Sequence, residues 1–348
     1  MESNPQETPE QISPLQQSLS RSLSSVHPIF KIQVTRDLAK TLGMRNGQKL
    51  TWLWKNKSRH YTLQKIRKRS GGFRTLHIPD KQLREAQFLL LTKVLDRIPV
   101  REYLWAFEKG KSVAGMANMH TNKDVVLSID LEDYFGKVHV KHILPILEAH
   151  GIGSSAARVV AELCCYKYFL PQGGVTSPKL SNLVAAYTFG PPLKEYADSI
   201  GATLTIYADD VTLSFNGHKD AKKIVEDITA ILKQHGGFSV NSKKTKVMTR
   251  LRRQFVCGVV VNKKPNLARE ERNRLRAIIK NIELHGISSE AAKNDLEPDT
   301  FISSIRGRIN WYKQLNPTRA EKMSVKFEEV IVSRGTSSQQ DAGRTEVA

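Results

Sequence analysis

The chain has 348 residues, 40% apolar and 25% charged, an ordinary balance for a folded soluble protein of one large domain or two to three subdomains. Lys and Arg number 54 against 34 Asp and Glu, and the formal charge of +20 calls for an anionic partner, nucleic acid before a membrane surface. The longest apolar stretch, near Phe88–Leu91, falls far short of the roughly 18–20 residues of a membrane span, and no signal-peptide order opens the chain. A cytoplasmic protein with no membrane partner is therefore expected. The three cysteines, Cys164, Cys165 and Cys257, form no CxxC pair, which argues against a zinc site or disulfide framework and for small buried side chains.

Residues 1–27 are polar with Ser-Leu-Ser repeats and read as a flexible arm. Ile32, Leu38 and Leu42 predict a short helix between Phe30 and Met44, with a turn at Asn46-Gly47. Trp52, Trp54 and Tyr61 give Leu50–Leu63 a strand-like look. Tyr61–Ile66 and Phe73–Ile78 predict a hairpin around the Arg67–Gly72 turn, and a long helix follows from Lys81 to Asp96. Val125–Asp130 is a short apolar strand ending in an acid. Val140–His150 and Ser154–Tyr166 read as helices, as does Ser181–Tyr196, interrupted near Gly190-Pro191-Pro192. The clearest hairpin enters on Thr203–Ile206, turns on Tyr207-Ala208-Asp209-Asp210 and leaves on Val211–Phe215. Beyond it come a helix at Lys219–Gly236, a strand at Phe255–Val261, a basic helix at Leu267–Leu284, a helix at Phe301–Leu315 and, after about Arg334, a disordered tail. This order predicts an α+β sheet with helices on one face, then a separate helical unit.

Two adjacent carboxylates in a tight turn raise each other's pKa unless a cation lies between them. Asp209 and Asp210 flank such a turn, and Asp130 ends another apolar strand. Acids gathered at neighbouring strand ends suit hard divalent cations, most plausibly Mg²⁺. Two ions about 3.5–4 Å apart clamp the attacking and leaving oxygens of an in-line phosphoryl displacement. A lone Tyr-x-Asp-Asp string means little, because four residues recur by chance. Here Ile206 and Val211 bracket the acids with strand formers, and Leu170-Pro171-Gln172-Gly173-Gly174 adds a loop that permits close backbone approach.

On these residues the chain resembles a reverse transcriptase from about Tyr61 to Leu315. The Tyr-Ala-Asp-Asp tip, the segment Ser128–Phe135 and the Pro-Gln-Gly loop stand in the family's order. The resemblance implies a right-hand polymerase with fingers, a ferredoxin-like palm and a helical thumb. It divides the chain into an arm at 1–27, an extension and fingers at 28–124, a palm at 125–254 with a fingers insertion around 150–180, a primer grip and thumb at 255–330, and a tail at 331–348. It implies that Asp130, Asp209 and Asp210 are the catalytic, metal-binding triad for two Mg²⁺ ions. Phe135 matches the steric gate against a 2′-hydroxyl. Arg67, Lys68 and Arg74 match the triphosphate grip, Gln172 the residue beside the incoming nucleotide, and Lys244 a proton donor to pyrophosphate.

Among these enzymes the chain most resembles bacterial retron reverse transcriptases. Their Asn-Ala-x-x-His element is matched by Met116-Ala117-Asn118-Met119-His120, with Met116 in place of Asn. Their Val-Thr-Gly element is matched by Val256-Cys257-Gly258, with Cys257 in place of Thr, followed by Asn262 and Arg269. His120, Val256, Cys257, Gly258, Asn262, Arg269, Arg272 and Arg276 are thus expected to meet nucleic acid, the arginines along a phosphate backbone. The resemblance implies an RNA-directed DNA polymerase that copies a structured noncoding RNA from dNTPs. It further implies a branched DNA product primed by an RNA 2′-hydroxyl, and a separately encoded effector acting in anti-phage defence. Two alternatives are a group II-intron-like or other enzyme with 3′-hydroxyl priming, and a non-catalytic RNA-binding scaffold. With few residues beyond Leu315, neither a maturase region nor an RNase H domain is expected.

Overall fold

The computed structural model describes residues 14–45, 47–68 and 71–342, with side chains as far as residue 333. The chain opens with helices α1 (Pro14–Leu23), α2 (Thr35–Thr41) and α3 (Gln48–Asn56), strands β1 (Tyr61–Arg67) and β2 (Phe73–Pro79), and helices α4 (Lys81–Lys93) and α5 (Val113–Asn118). It continues through β3 (Val125–Asp130), α6 (Tyr134–Lys137), α7 (Val140–Ala149), α8 (Ser154–Cys164), α9 (Ser177–Tyr187) and α10 (Gly190–Ser199). Next come β4 (Thr203–Tyr207), β5 (Asp210–Phe215), α11 (Ala221–Gly236), β6 (Lys246–Thr249), β7 (Phe255–Val256) and β8 (Val259–Val260). The last elements are α12 (Arg269–His285), α13 (Ile287–Ala292), α14 (Pro298–Leu315) and α15 (Pro317–Ala342). Two compact units result: residues 1–112 with 125–247, and residues 113–124 with 248–348.

The first unit is organised by a sheet of order β4-β5-β3-β6, with β6 where the chain passes into the second unit. β5 pairs antiparallel with both β3 and β4. Leu127, Ile129, Leu204, Ile206, Val211 and Leu213 bury their side chains in one core with residues of the covering helices. α11 shows why the pieces assemble. Asp220 caps its first turn by accepting from the Lys222 and Lys223 amides, and Gly237 ends it at φ 69°. Between the caps, Ile224, Ile228 and Leu232 recur every fourth residue on the buried side. Each such side chain contributes about 2 kcal/mol by leaving water.

In the second unit, Leu275, Ile279 and Ile282 of α12 are buried, as are Phe301, Ile305, Ile309 and Tyr312 of α14 and Met323, Phe327 and Val330 of α15. The three sets repeat at three- and four-residue intervals, as core-facing helices require. Among the described residues no helix is long and apolar enough to cross a membrane.

Several expectations change. Leu50–Leu63 is not a strand at its start: Leu50 and Leu53, one turn apart and both fully buried, set the period of α3, while Trp52 stays exposed. Phe255–Val261 is not one strand. It folds on itself as β7 and β8, with Cys257 at φ 45° and Gly258 at φ 80° between them. Two positive φ values are the signature of a tight hairpin turn. The arm expected at 1–27 contains α1, docked by Leu19 and by Ser18 Oγ, which donates to Thr188 O at 2.9 Å; residues 1–13 lie outside the described ones. The tail expected beyond Arg334 is helical to Ala342, and only residues 343–348 lie outside. Asn46 of the expected turn, and Arg69 and Ser70 of the basic hairpin, also lie outside.

Candidate active site

The site starts with backbone hydrogen bonds. β3 and β5 end level with each other, Asp130 opposite Asp210, and Tyr207 of β4 also pairs with Asp210. Only Ala208 and Asp209 join β4 to β5, and Ala208 takes φ 55° to close the turn. A left-handed alanine costs about 1 kcal/mol, strain of the kind stored at functional positions. The end of β3 is then pinned three ways. The Leu131 amide donates to Asp209 O (2.7 Å), the Glu132 amide to Ser239 O (2.9 Å), and the Asn241 amide to Asp130 O (2.8 Å). The Lys244 amide returns to Asn241 O at 3.0 Å, which closes a turn and brings its Nζ to both Asp130 oxygens at 3.0 and 3.1 Å.

Asp209 is half-buried, and its carboxyl is raised above the usual range first by burial and then by the Asp130 charge, with Lys244 and Arg74 opposing. Asp210 points differently: its Oδ1 accepts from Ser128 Oγ at 3.0 Å.

Facing the acids is the β1–β2 hairpin, with Ile66 opposite Arg74 and Arg67 opposite Phe73. Its root is tied to the Pro171–Gly174 loop by the His77 amide, which donates to Gln172 O at 2.8 Å. Gly173 makes this approach possible: its φ is +112°, and a Cβ there would stand 3.0 Å from His77 O. Gln87, fully buried, ties the same parts from below. Its Nε2 donates to Tyr61 Oη (2.8 Å) and Leu163 O (2.9 Å), and its Oε1 accepts from the Val175 amide at 3.1 Å. Tyr134 anchors the remaining wall. It lies in the core, donates to Ser181 O at 2.6 Å and packs edge-on against Phe238, so that the next residue, Phe135, is half-buried at the cavity.

The result is one cavity of about 930 Å³ lined by Arg67, Lys68, Arg74, Phe135, Gln172 and Lys244 together with Asp130 and Asp209. Asp210 is the one residue of the expected acid and nucleotide set that does not line it. Among the described residues no group of three or more His, Cys, Asp or Glu side chains is already gathered to hold a metal ion. Asp130 and Asp209 still fit one. They share the cavity, Asp130 already grips an ammonium with both oxygens, and an oxygen donor set suits a hard cation. His77, Asn241 and the strain at Ala208 escaped the sequence reading. The Gly-Gly pair and Lys244 were visible, but not the contacts they make.

The residues expected to meet nucleic acid fall in the second unit and behave unequally. Arg269, Arg272 and Arg276 line a cavity there. His120 and Val256 do not reach a surface: His120 is fully buried, its ring pushed down to about 3 by burial and by Lys123, and Val256 is core. Asn262 braces a turn, its Oδ1 accepting from the Gln254 amide at 3.0 Å and its Nδ2 donating to Arg252 O at 2.8 Å. Cys257 and Gly258 form the β7–β8 turn.

Comparison with known proteins agrees with this geometry. Residues 66–288 match the family described as reverse transcriptase (RNA-dependent DNA polymerase). The chain is 34% identical to the retron Mx65 reverse transcriptase of Myxococcus xanthus over 284 residues, covering 76% of this chain and 64% of that protein. It is 33% identical to the retron Ec86 reverse transcriptase of Escherichia coli over 233 residues, covering 67% and 72% respectively. The retron Mx162 enzyme of Myxococcus xanthus is 30% identical, with 52% of its length covered, so the chain spans less than two thirds of both Myxococcus proteins. With the polymerase family matched across both units, and a relative aligned over most of its own length, the chain belongs to the reverse transcriptases and, within them, to the retron group.

Proposed function

We propose that the protein is an RNA-directed DNA polymerase of the retron type. The observation that carries this reading is the single cavity in which Asp130, Asp209, three hairpin cations, Phe135, Gln172 and Lys244 meet. In the right-hand description, the β1–β2 hairpin belongs to the fingers, the β3–β5 sheet to the palm and the C-terminal helices to the thumb.

Each side chain then has a task. Arg67, Lys68 and Arg74 hold the triphosphate, Arg74 also offsetting the Asp209 charge. Phe135 fills the space a 2′-hydroxyl on the incoming sugar would need, which favours dNTPs. Gln172, fixed through its own carbonyl, stands beside the incoming base. Asp130 and Asp209, with Asp210 beside them, would hold magnesium, which would supply positive charge to a sugar hydroxyl and to the phosphates. The hydroxyl loses its proton to water as its oxygen bonds to the α-phosphorus, the α–β phosphoanhydride breaks, and Lys244 stands ready to protonate the departing pyrophosphate. The template is a structured noncoding RNA, a 2′-hydroxyl of that RNA is the primer, and the branched product acts with a separately encoded effector in anti-phage defence.

Nucleic acid isolated from cells expressing the gene with its flanking DNA tests this. A single-stranded DNA that becomes linear on debranching is the expected product, lost in an Asp209→Ala, Asp210→Ala double variant. An unbranched product would reject 2′-hydroxyl priming while keeping the polymerase. Full biological activity in the double variant would reject the polymerase and leave a scaffold.

A further inference from the structure

The chain that runs from Asp130 to Phe135 is anchored at both ends. On the acid side, the Leu131 amide donates to Asp209 O (2.7 Å) and the Glu132 amide to Ser239 O (2.9 Å). On the other side, Tyr134 is buried, with its hydroxyl on Ser181 O (2.6 Å) and its ring edge-on to Phe189 and Phe238. Asp133 is the joint between these anchored parts, and it is left-handed, at φ 49° and ψ 46°. That conformation is rare for residues with a Cβ, and commonest among them for Asn and Asp. The Asp133 side chain makes no capping bond to α6 and lies against Gly136 instead. A Cβ on Gly136 would stand 2.8 Å from Asp133 Cγ and 2.9 Å from its Oδ1, well inside the ~3.5–4.0 Å of an ordinary contact. Gly136 has no positive φ, so the carboxylate rather than the backbone excludes a side chain there. The Lys137 amide closes the turn on Asp133 O at 3.0 Å. Phe135 is held between these two residues, its ring edge-on to Tyr134 at 5.9 Å, and Asp133 and Gly136 line the cavity beside it.

We infer that Asp133 and Gly136 form a clamp that sets the angle of the Phe135 ring, which makes Asp133 a positioning residue for sugar selection. The inference rests on the reading of Phe135 as the residue that excludes a 2′-hydroxyl. A ring rejects a hydroxyl only if it cannot swing aside. Side chains keep to staggered rotamers, so the direction of the ring follows the backbone that carries it. In a one-turn helix that backbone is fixed by its ends: by Tyr134 in the core, and by the left-handed joint with its carboxylate packed on Gly136. A shift of about 1 Å at such a place is worth on the order of a hundredfold in rate. The carboxylate meets Gly136 through shape, not charge, so an amide in its place keeps both the contact and the left-handed preference.

The test measures single-turnover incorporation of a dNTP and of the matching rNTP by the full chain, on a DNA primer annealed to an RNA template. The readout is the ratio of the two rates, which a general loss of stability leaves unchanged. Phe135→Ala comes first and should lower the preference for dNTP by about a hundredfold. Gly136→Ala and Asp133→Gly should each lower it by roughly tenfold, and Asp133→Asn by less than about threefold. Asp133→Gly combined with Gly136→Ala should recover most of the preference, because glycine keeps the left-handed joint and leaves room for the new methyl. An unchanged ratio in Phe135→Ala rejects the reading of Phe135. A lowered ratio there with an unchanged one in Gly136→Ala rejects the clamp alone. Losses that simply add in the double variant also overturn the clamp, as does an Asp133→Asn loss equal to that of Asp133→Gly, which would make charge the device. If thermal unfolding shows that Gly136→Ala does not fold, Asp133→Gly decides alone: a wild-type ratio in it overturns the inference.

Discussion

The cavity at the end of β3 and the cleft of α12, α14 and α15 are both rich in cations, yet they are built on opposite plans. In the cavity, positive groups face acids and the backbone around them is fixed by hydrogen bonds: Lys244 is held by Asp130, and the hairpin root is tied to Gln172. In the cleft, seven cations stand on helix faces against one already paired carboxylate. The first arrangement suits chemistry on one small anion, where position decides the rate. The second suits a long anion, where the summed charge decides affinity and salt weakens it.

The largest effect should separate the two regions outright. Asp209→Asn removes a cavity carboxylate and should lower single-turnover nucleotide incorporation by a thousandfold or more, about 4 kcal/mol in the barrier. RNA affinity should stay within about threefold, since the cleft is untouched. A parallel loss of RNA binding would mean the two regions are not independent.

Acid should act on both units through buried histidines. In the first, the His142 ring is pushed down to about 4 by burial and by His139, and its Nδ1 accepts from the His139 amide at 3.0 Å, a bond a fully protonated ring cannot accept. In the second, burial pushes His120 to about 3. Both rings are neutral when folded and titrate near 6.5 when unfolded. Their stabilisation is therefore complete above pH 6.5 and is lost as pH falls toward 4 and then 3. For His142 the loss is about 3 kcal/mol across that window. Denaturant unfolding at stepped pH should show it, with a shallower decline in His142→Gln; an unchanged slope in that variant would remove His142 from the account.

Gln87→Leu strands Tyr61 Oη, Leu163 O and the Val175 amide in the interior and should destabilise the first unit by about 2 kcal/mol. If the hub positions the Gln172 loop, KM for dNTP should rise more than kcat falls. The smallest effect is expected at the turn itself. Ala208→Gly relieves a left-handed alanine but frees the unfolded chain, for a net gain of about 0.5 kcal/mol in denaturation.

Local pattern made the central hairpin and its acids legible, because Ile206 and Val211 are strand formers around a two-residue turn. Where local pattern conflicted with packing, packing won. Aromatics made α3 look like a strand, but Leu50 and Leu53 are buried one turn apart. Ser and Gln disguised the C-terminal helix, although Ala320, Met323, Phe327 and Val330 already carried its period. His120 and Asn262 stood out as motif letters, yet one is interior and the other holds a turn. Gln87 was invisible as a hub because its partners are distant in sequence and two of its three bonds reach backbone groups.

The three hydrogen bonds that pin the end of β3 run from amide to carbonyl, and none uses a carboxylate. Architecture and chemistry are thus separable here. A descendant that lost Asp130 or Asp209 would keep its silhouette, and drift from enzyme to inert RNA holder would leave no trace in the backbone. For the same reason, a charge-silenced protein is a faithful decoy, able to be loaded with strand and nucleotide and stopped before the bond forms.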